Sequence, residues 1–354
     1  MAEVLVGGQP FTETVAFFTD ELGFRLQLIT PADDPRLAVV EGLGLRLRIE
    51  RDRAPGPITL VVEGEGPARR APNGAVVEFV PPRALAVPPL QPELVVAPAG
   101  DDGDWIEGRA GMRYRDLLPS RLGGRFIASH IEVCDGGPVA DLVHHHDIRF
   151  QLIFCHQGWV DVVYQGQGPP FRLEAGDAVL QPPGLRHEVL ASAAGARVVE
   201  IGCPAEHDTW FDHELRLPDA VVEPDRRHGG QRFVRHVGAE VAWAPSADLD
   251  GFEVQQTEIA AATDGLAGVR VLRPASAPAP TIATAPTAPM GGRARARSAA
   301  ELQFFFVLDG TVELVVDDGY ELATGAAAAL PPSIPFELRA GDPGLRLLEV
   351  TLPA

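Results

Sequence analysis

The sequence predicts a mainly β protein in which a small α+β leader precedes two tandem β-barrels. Three observations carry this. The chain of 354 residues contains 37 Gly and 33 Pro set among short apolar runs, a pattern of many turns and short strands. It offers one convincing helical segment, near its start. From about residue 101 onward, it repeats itself.

The helical segment is residues 11–22, where Val15, Phe18 and Leu22 fall on one face and Gly23 follows where a left-handed cap would end the helix. Residues 24–28 and 45–49 alternate apolar with polar and residues 37–40 form a short apolar run, so three strands are expected. Residues 58–62 and 75–80 are candidates for two more. Residues 81–103 contain Pro81, Pro82, Pro88, Pro89, Pro92 and Pro98, which suits a connector and excludes a helix or central strands. Three domains result: residues 1–100 with the connector, 101–215 and 216–354.

The repeat defines the second and third domains. Residues 150–160 answer to 302–312, Gly176 with Pro182-Pro183 answers to Gly325 with Pro331-Pro332, and residues 197–201 answer to 346–350. Two barrels of one fold are implied.

A net charge of −19 and 45% hydrophobic residues indicate a globular chain that phosphate backbones and anionic lipid would repel. Nucleic acid and membrane are therefore excluded as partners, and a small-molecule substrate is expected. Cys134, Cys155 and Cys203 form neither a paired framework nor a Cys-x-x-Cys. With no signal peptide or membrane-length apolar run, this predicts a cytoplasmic protein.

The chemistry concentrates between His144 and His187. Residues two apart on a strand share a face, so His144 and His146 can both face the barrel interior while His145 faces away. By the same parity, Ile153 and Cys155 accompany Gln151, and Val189 accompanies His187. Cys155 is thus a candidate pocket residue, and Arg149 and Arg186 are candidates to hold a carboxylate at the mouth. His130 could face either way. His207, Asp208 and His213 follow Pro204, where the repeat ends, and are expected outside the barrel.

These spacings resemble the two motifs of the cupin superfamily. His144-x-His146, four residues, Gln151, six residues and Gly158 match the first, with Gln in place of the usual Glu. Gly176, five residues, Pro182-x-Gly184, two residues and His187 match the second, with Ala191 where Asn is often found. The resemblance covers roughly residues 101–354 and implies a bicupin of two jelly-roll, double-stranded β-helix barrels. It further implies that His144, His146, Gln151 and His187 bind a divalent metal, with iron(II) favoured and zinc, nickel or manganese also suited. In the second copy, Ala296, Ser298 and Phe336 replace the histidines and only Gln303 survives, so that barrel is expected to hold no metal.

The implied activity is that of an iron(II) dioxygenase acting on a small oxygen-chelating or anionic substrate, with Gln151, Cys155 and Arg149 as candidate catalytic residues. The alternatives are a non-redox isomerase or lyase on a sugar-acid or keto-acid-like substrate, and a binding or sensing protein. Cupin barrels commonly pair, which implies a homo-oligomer such as a dimer, or an internal pseudo-dimer. The β-α-β-β-β order of the leader resembles one module of the glyoxalase/bleomycin-resistance (vicinal-oxygen-chelate) superfamily, whose metal positions fall nearest Gln9 and Glu50.

Overall fold

The structure, a computed structural model, describes residues 2–100, 104–108, 111–275, 293–297 and 300–353. The chain divides into two compact units, Met1–Ala84 and Leu85–Ala354.

The first unit realises the expected element order. The helix Phe11–Ala16 widens into a π-helical turn at Phe17–Glu21, and Gly23 ends it with φ +73°. Its four-stranded sheet runs Val4–Gly7, Leu45–Glu50, Leu37–Gly42, Arg25–Thr30, with the first pair parallel. Thr59–Glu63 and Val76–Val80 pair in parallel in a separate three-stranded sheet. Phe11, Phe17, Phe18, Val40, Leu47 and Ile49 form the core. Gln9 is exposed and Glu50 accepts from Arg48 at 2.8 Å. Among the described residues, no metal-competent cluster lies in this unit.

The second unit contains two antiparallel double sheets of matching strand order. In the first barrel, the large sheet runs Ala178–Leu180, Phe150–Gln157, Ala196–Cys203, Ile127–Val133, Met112–Asp116, and faces the sheet Phe171–Glu174, Trp159–Tyr164, His187–Ser192, His144–His146. In the second, Ala327–Leu330, Ala300–Asp309, Arg346–Pro353, Gly268–Pro274, Phe252–Gln256 faces Gly319–Ala323, Thr311–Val315, Pro335–Ala340, Arg293–Arg297. Gly158 and Gly310 make the corresponding turns at φ +71° and +76°, a conformation that disfavours a β-carbon.

Strand parity explains why the central strands read as continuous apolar runs. Phe150, Leu152 and Phe154 point out of the first barrel and pack with Leu302, Phe304 and Phe306 of the second in one shared core. The alternate residues face their own barrels, as Phe305 and Val307 do in the second. Both faces of each strand are buried, so neither needs a polar side.

The Pro-rich stretch is a connector only in part. From Leu85 it belongs to the second unit, where Val87, Leu90 and Val95 pack on the shared core. Val95–Ala97 pairs with Ala327–Leu330 at an edge of the second barrel, while Val234–His236, just ahead of that barrel, pairs with Ala178–Leu180 of the first. The two barrels thus exchange edge strands reciprocally. Edge positions tolerate the surrounding prolines.

Of the residues read as replacing the metal site in the second barrel, Ala296 lies opposite Phe336 in register. This repeats the pairing of His144 with His187. The Phe336 ring fills the interior edge-on to Phe305 at 5.5 Å. Ser298 and residues 276–292, most of the expected low-complexity loop, lie outside the described residues.

Candidate metal centre in the first barrel

The strand His144–His146 carries two imidazoles inward, and the antiparallel pairing of His144 with His187 brings in the third. One ring nitrogen from each of His144, His146 and His187 lies within 4.8 Å of the others. The structure also fixes which nitrogen that is. Nδ1 of His144 lies 2.7 Å from the Leu142 carbonyl and Nδ1 of His187 lies 3.0 Å from that of Leu185. A carbonyl only accepts, so both Nδ1 atoms carry the proton and both Nε2 atoms present lone pairs. Nδ1 of His146 is held at 3.0 Å by the Thr209 hydroxyl. A hydrogen bond on the far nitrogen is the usual partner of a ligating histidine. The donor set fits a divalent transition metal.

Gln151 lines the same cavity and is likewise oriented. Its Nε2 lies 2.6 Å from a carboxylate oxygen of Glu200. Only the amide nitrogen can donate to a carboxylate, so Oε1 is the Gln151 atom left to serve as a ligand. The cavity encloses about 230 Å³. Much of the remaining wall is apolar, with Ile131, Ile153, Val160, Val162, Leu173 and Val189 among the lining residues. Gln181 donates to the Tyr164 hydroxyl at 2.8 Å, and burial raises that phenol above its ordinary range.

Two candidate catalytic residues are not brought here. Arg149 turns to the junction between barrels, where its guanidinium donates to Glu301 at 2.9 Å. Residue 149 stands just ahead of the strand Phe150–Gln157, so strand parity does not govern it, and the carboxylate of the second barrel captures it. Cys155 keeps the inward parity but sits in the packed end of the barrel, its thiol against the carbonyls of Gln157 and Gly158. Burial, with Asp177 and Glu174 nearby, pushes that thiol up to about 12, which suits packing rather than nucleophilic chemistry. Arg186 is bound to Asp212 at 3.2 Å, away from the lining. Ile153 and Val189 do line the cavity.

His207 corrects the expectation that the exit segment stays outside. Residues Thr209–Phe211 fold back to pair with His144–His146, carrying Thr209 opposite His146. This brings His207 to the cavity wall, its ring 5.2 Å from that of His146. His213 remains exposed. His130 faces the junction, where its Nε2 lies 3.1 Å from His156 Nδ1. Glu200 carried no motif signal at all.

Comparisons with known proteins agree with this architecture. A sequence family described as the AraC-like ligand binding domain matches residues 131–210, which span most of the site-bearing barrel. No curated protein sequence matches closely enough to count as a relative. Among solved structures, salicylate 1,2-dioxygenase from Pseudaminobacter salicylatoxidans superposes with a TM-score of 0.53 at 14% identity, over 75% of this chain and 85% of that one. A putative glyoxylate induced protein from Pseudomonas aeruginosa gives 0.51 at 16% identity, over 77% and 92%. A single-substitution variant of oxalate decarboxylase from Bacillus subtilis gives 0.50 at 13%, over 77% and 80%. The fold is that of the cupins. These matches lend no support to the glyoxalase-type resemblance of the first unit. No helix among the described residues is long and apolar enough to cross a membrane.

Proposed function

We propose that the first barrel holds one divalent metal ion on His144, His146, His187 and Gln151 and acts enzymatically on a small oxygen-chelating substrate, with iron(II) dioxygenase chemistry as the leading form. The observation that carries this reading is the convergence of three imidazoles whose Nδ1 atoms are each held by the protein. When bound, the ion supplies Lewis-acid polarisation of a chelating oxygen and, if it is iron(II), electrons for dioxygen activation. The protein's own part is to orient the four ligands, and to keep the cavity dry with the valine and isoleucine wall. Gln151 contributes no charge, which leaves the ion's full charge to the substrate. The dioxygenase and decarboxylase among the structural neighbours share the fold and make metal-dependent chemistry the natural class.

The test is anaerobic reconstitution with iron(II), followed by oxygen-uptake screening against catechols, hydroxylated aromatic acids, β-diketones and 2-keto acids, with zinc-loaded protein alongside. Oxygen uptake with iron alone is the expected result. Equal turnover with zinc and without oxygen would replace it with an isomerase or lyase. The match to a ligand-binding family over the site-bearing barrel favours one further reading, capture of a ligand without turnover. That reading takes over if a ligand raises the melting temperature in a His187-dependent way while no substrate is consumed.

A further inference from the structure

The cavity assigned to the metal is lined by a carboxylate but by no cationic side chain. The chain has no lysine, and among the described residues none of its arginines lines this cavity, whereas Glu200 does. The second barrel shows what this arrangement leaves open. There the equivalent carboxylate, Glu349, accepts from Gln303, as Glu200 accepts from Gln151, but it also receives the guanidinium of Arg270 from the neighbouring strand. Register places Arg270 opposite Glu349 and Ser129 opposite Glu200. The first barrel therefore keeps the Gln–Glu pair and has, in place of the arginine, an uncharged serine that cannot neutralise the acid.

We propose that Glu200 is the specificity-determining residue of this site, selecting substrates that are neutral or cationic and that present an N–H or O–H donor beside the chelating oxygen. This rests on the reading of the first barrel as a metal site, and it narrows the substrate class. A second carboxylate brought against Glu200 would meet like charge that only the metal ion offsets, with no cationic side chain in the lining to pair it, while a donor would gain a charge-assisted hydrogen bond. The apolar wall fits small alkyl substituents on the same molecule.

The test compares 2-hydroxyisobutyramide with 2-hydroxyisobutyrate, two chelators of the same shape that differ in a carboxamide for a carboxylate. Calorimetric affinities are measured on zinc-loaded protein, with zinc content determined in the same samples. Because carboxylates bind metals intrinsically better than amides do, the quantity read is the amide-to-acid affinity ratio. Glu200→Gln keeps an acceptor for Gln151 and should move that ratio toward the acid by about tenfold or more, the scale of one hydrogen bond to a charged group. Ser129→Arg, which installs the second barrel's arrangement, should move it the same way. A ratio that stays within about threefold of wild type in both folded variants overturns the proposal, as does failure of wild type to bind either compound. Wild type that takes up no zinc defeats the metal-site reading instead, and the same ratio measured on metal-free protein then decides the role of Glu200.

Discussion

His130 donates from Nε2 to Nδ1 of His156 at 3.1 Å, and the order is set by the far end of the pair, where His156 Nε2 donates to the Leu308 carbonyl of the second barrel at 2.9 Å. Each ring thus has one permitted tautomer. Burial, with His156, Arg115 and Arg197 close by, holds His130 down to about 2, and burial also lowers His156.

A pH dependence of stability follows from the sign of that shift. Between the folded value near 2 and the ordinary value near 6.5, the unfolded chain binds a proton at residue 130 that the folded chain does not, so stability rises with pH across this window and is lost as pH falls below about 6.5. Each such histidine contributes a slope of about 1.4 kcal/mol per pH unit. Urea denaturation between pH 6.5 and 4.5 should be flatter for His130→Gln by roughly one histidine's share. His145, His228 and His236, which burial also lowers, remain in the variant, and Asp248, held down to about 2, releases its contribution only at lower pH. Parallel wild-type and variant profiles would show that the pair is not the origin of the acid limb.

A second prediction concerns the metal. His146→Ala should reduce the purified protein from about one divalent ion per chain to well below that, because the proposed ligand set is three imidazoles and one neutral amide. Elemental analysis reads this directly, and the variant should lose the metal-dependent part of its melting temperature. Two ions per chain in wild type, or full retention in the variant, would reject the assignment.

The three clustered histidines and Gln151 were legible in sequence because they sit on short-range patterns of strand positions and motif spacings. What completes the site arises from strand pairing over longer separations. Glu200 reaches Gln151 from 49 residues away, and Thr209 reaches His146 from 63. Periodicity shows that such residues face inward but not which neighbour they meet. The barrels' shared core was legible only as apolar runs, since a strand buried on both faces loses the alternation that would show its direction. Arg149 misled for a related reason, as its partner Glu301 lies 152 positions later.

The relocation of Arg149 is itself testable. Glu301, 5% exposed, accepts from Arg149 at 2.9 Å and from Arg125 Nε at 2.6 Å, so one carboxylate ties two arginines of the first barrel to the second. Glu301→Ala leaves both guanidinium groups partly buried without that carboxylate and should cost about 2 to 3 kcal/mol in denaturant unfolding. Metal content should be unchanged in this variant and in Arg149→Ala. Loss of metal from either would place Arg149 back at the site.

The last prediction separates the two barrels. Phe336 occupies the register position that His187 occupies in the first barrel, is 5% exposed, and packs against Phe305 inside an apolar cluster with Leu314 and Leu338. Here the ring occupies the position that an imidazole fills in the other copy, and its surroundings are apolar packing. Phe336→Ala removes that ring from a closed interior and should destabilise the chain by about 3 to 5 kcal/mol, with a partly relaxed cavity as the cause. Phe336→Leu, which keeps most of the volume, should recover more than half of that loss. Neither variant should alter the metal content of the first barrel or the affinity of a ligand bound there. A coupled fall in metal content would mean that the second barrel supports the site through the shared core, and would overturn the assignment of the chemistry to the first barrel alone.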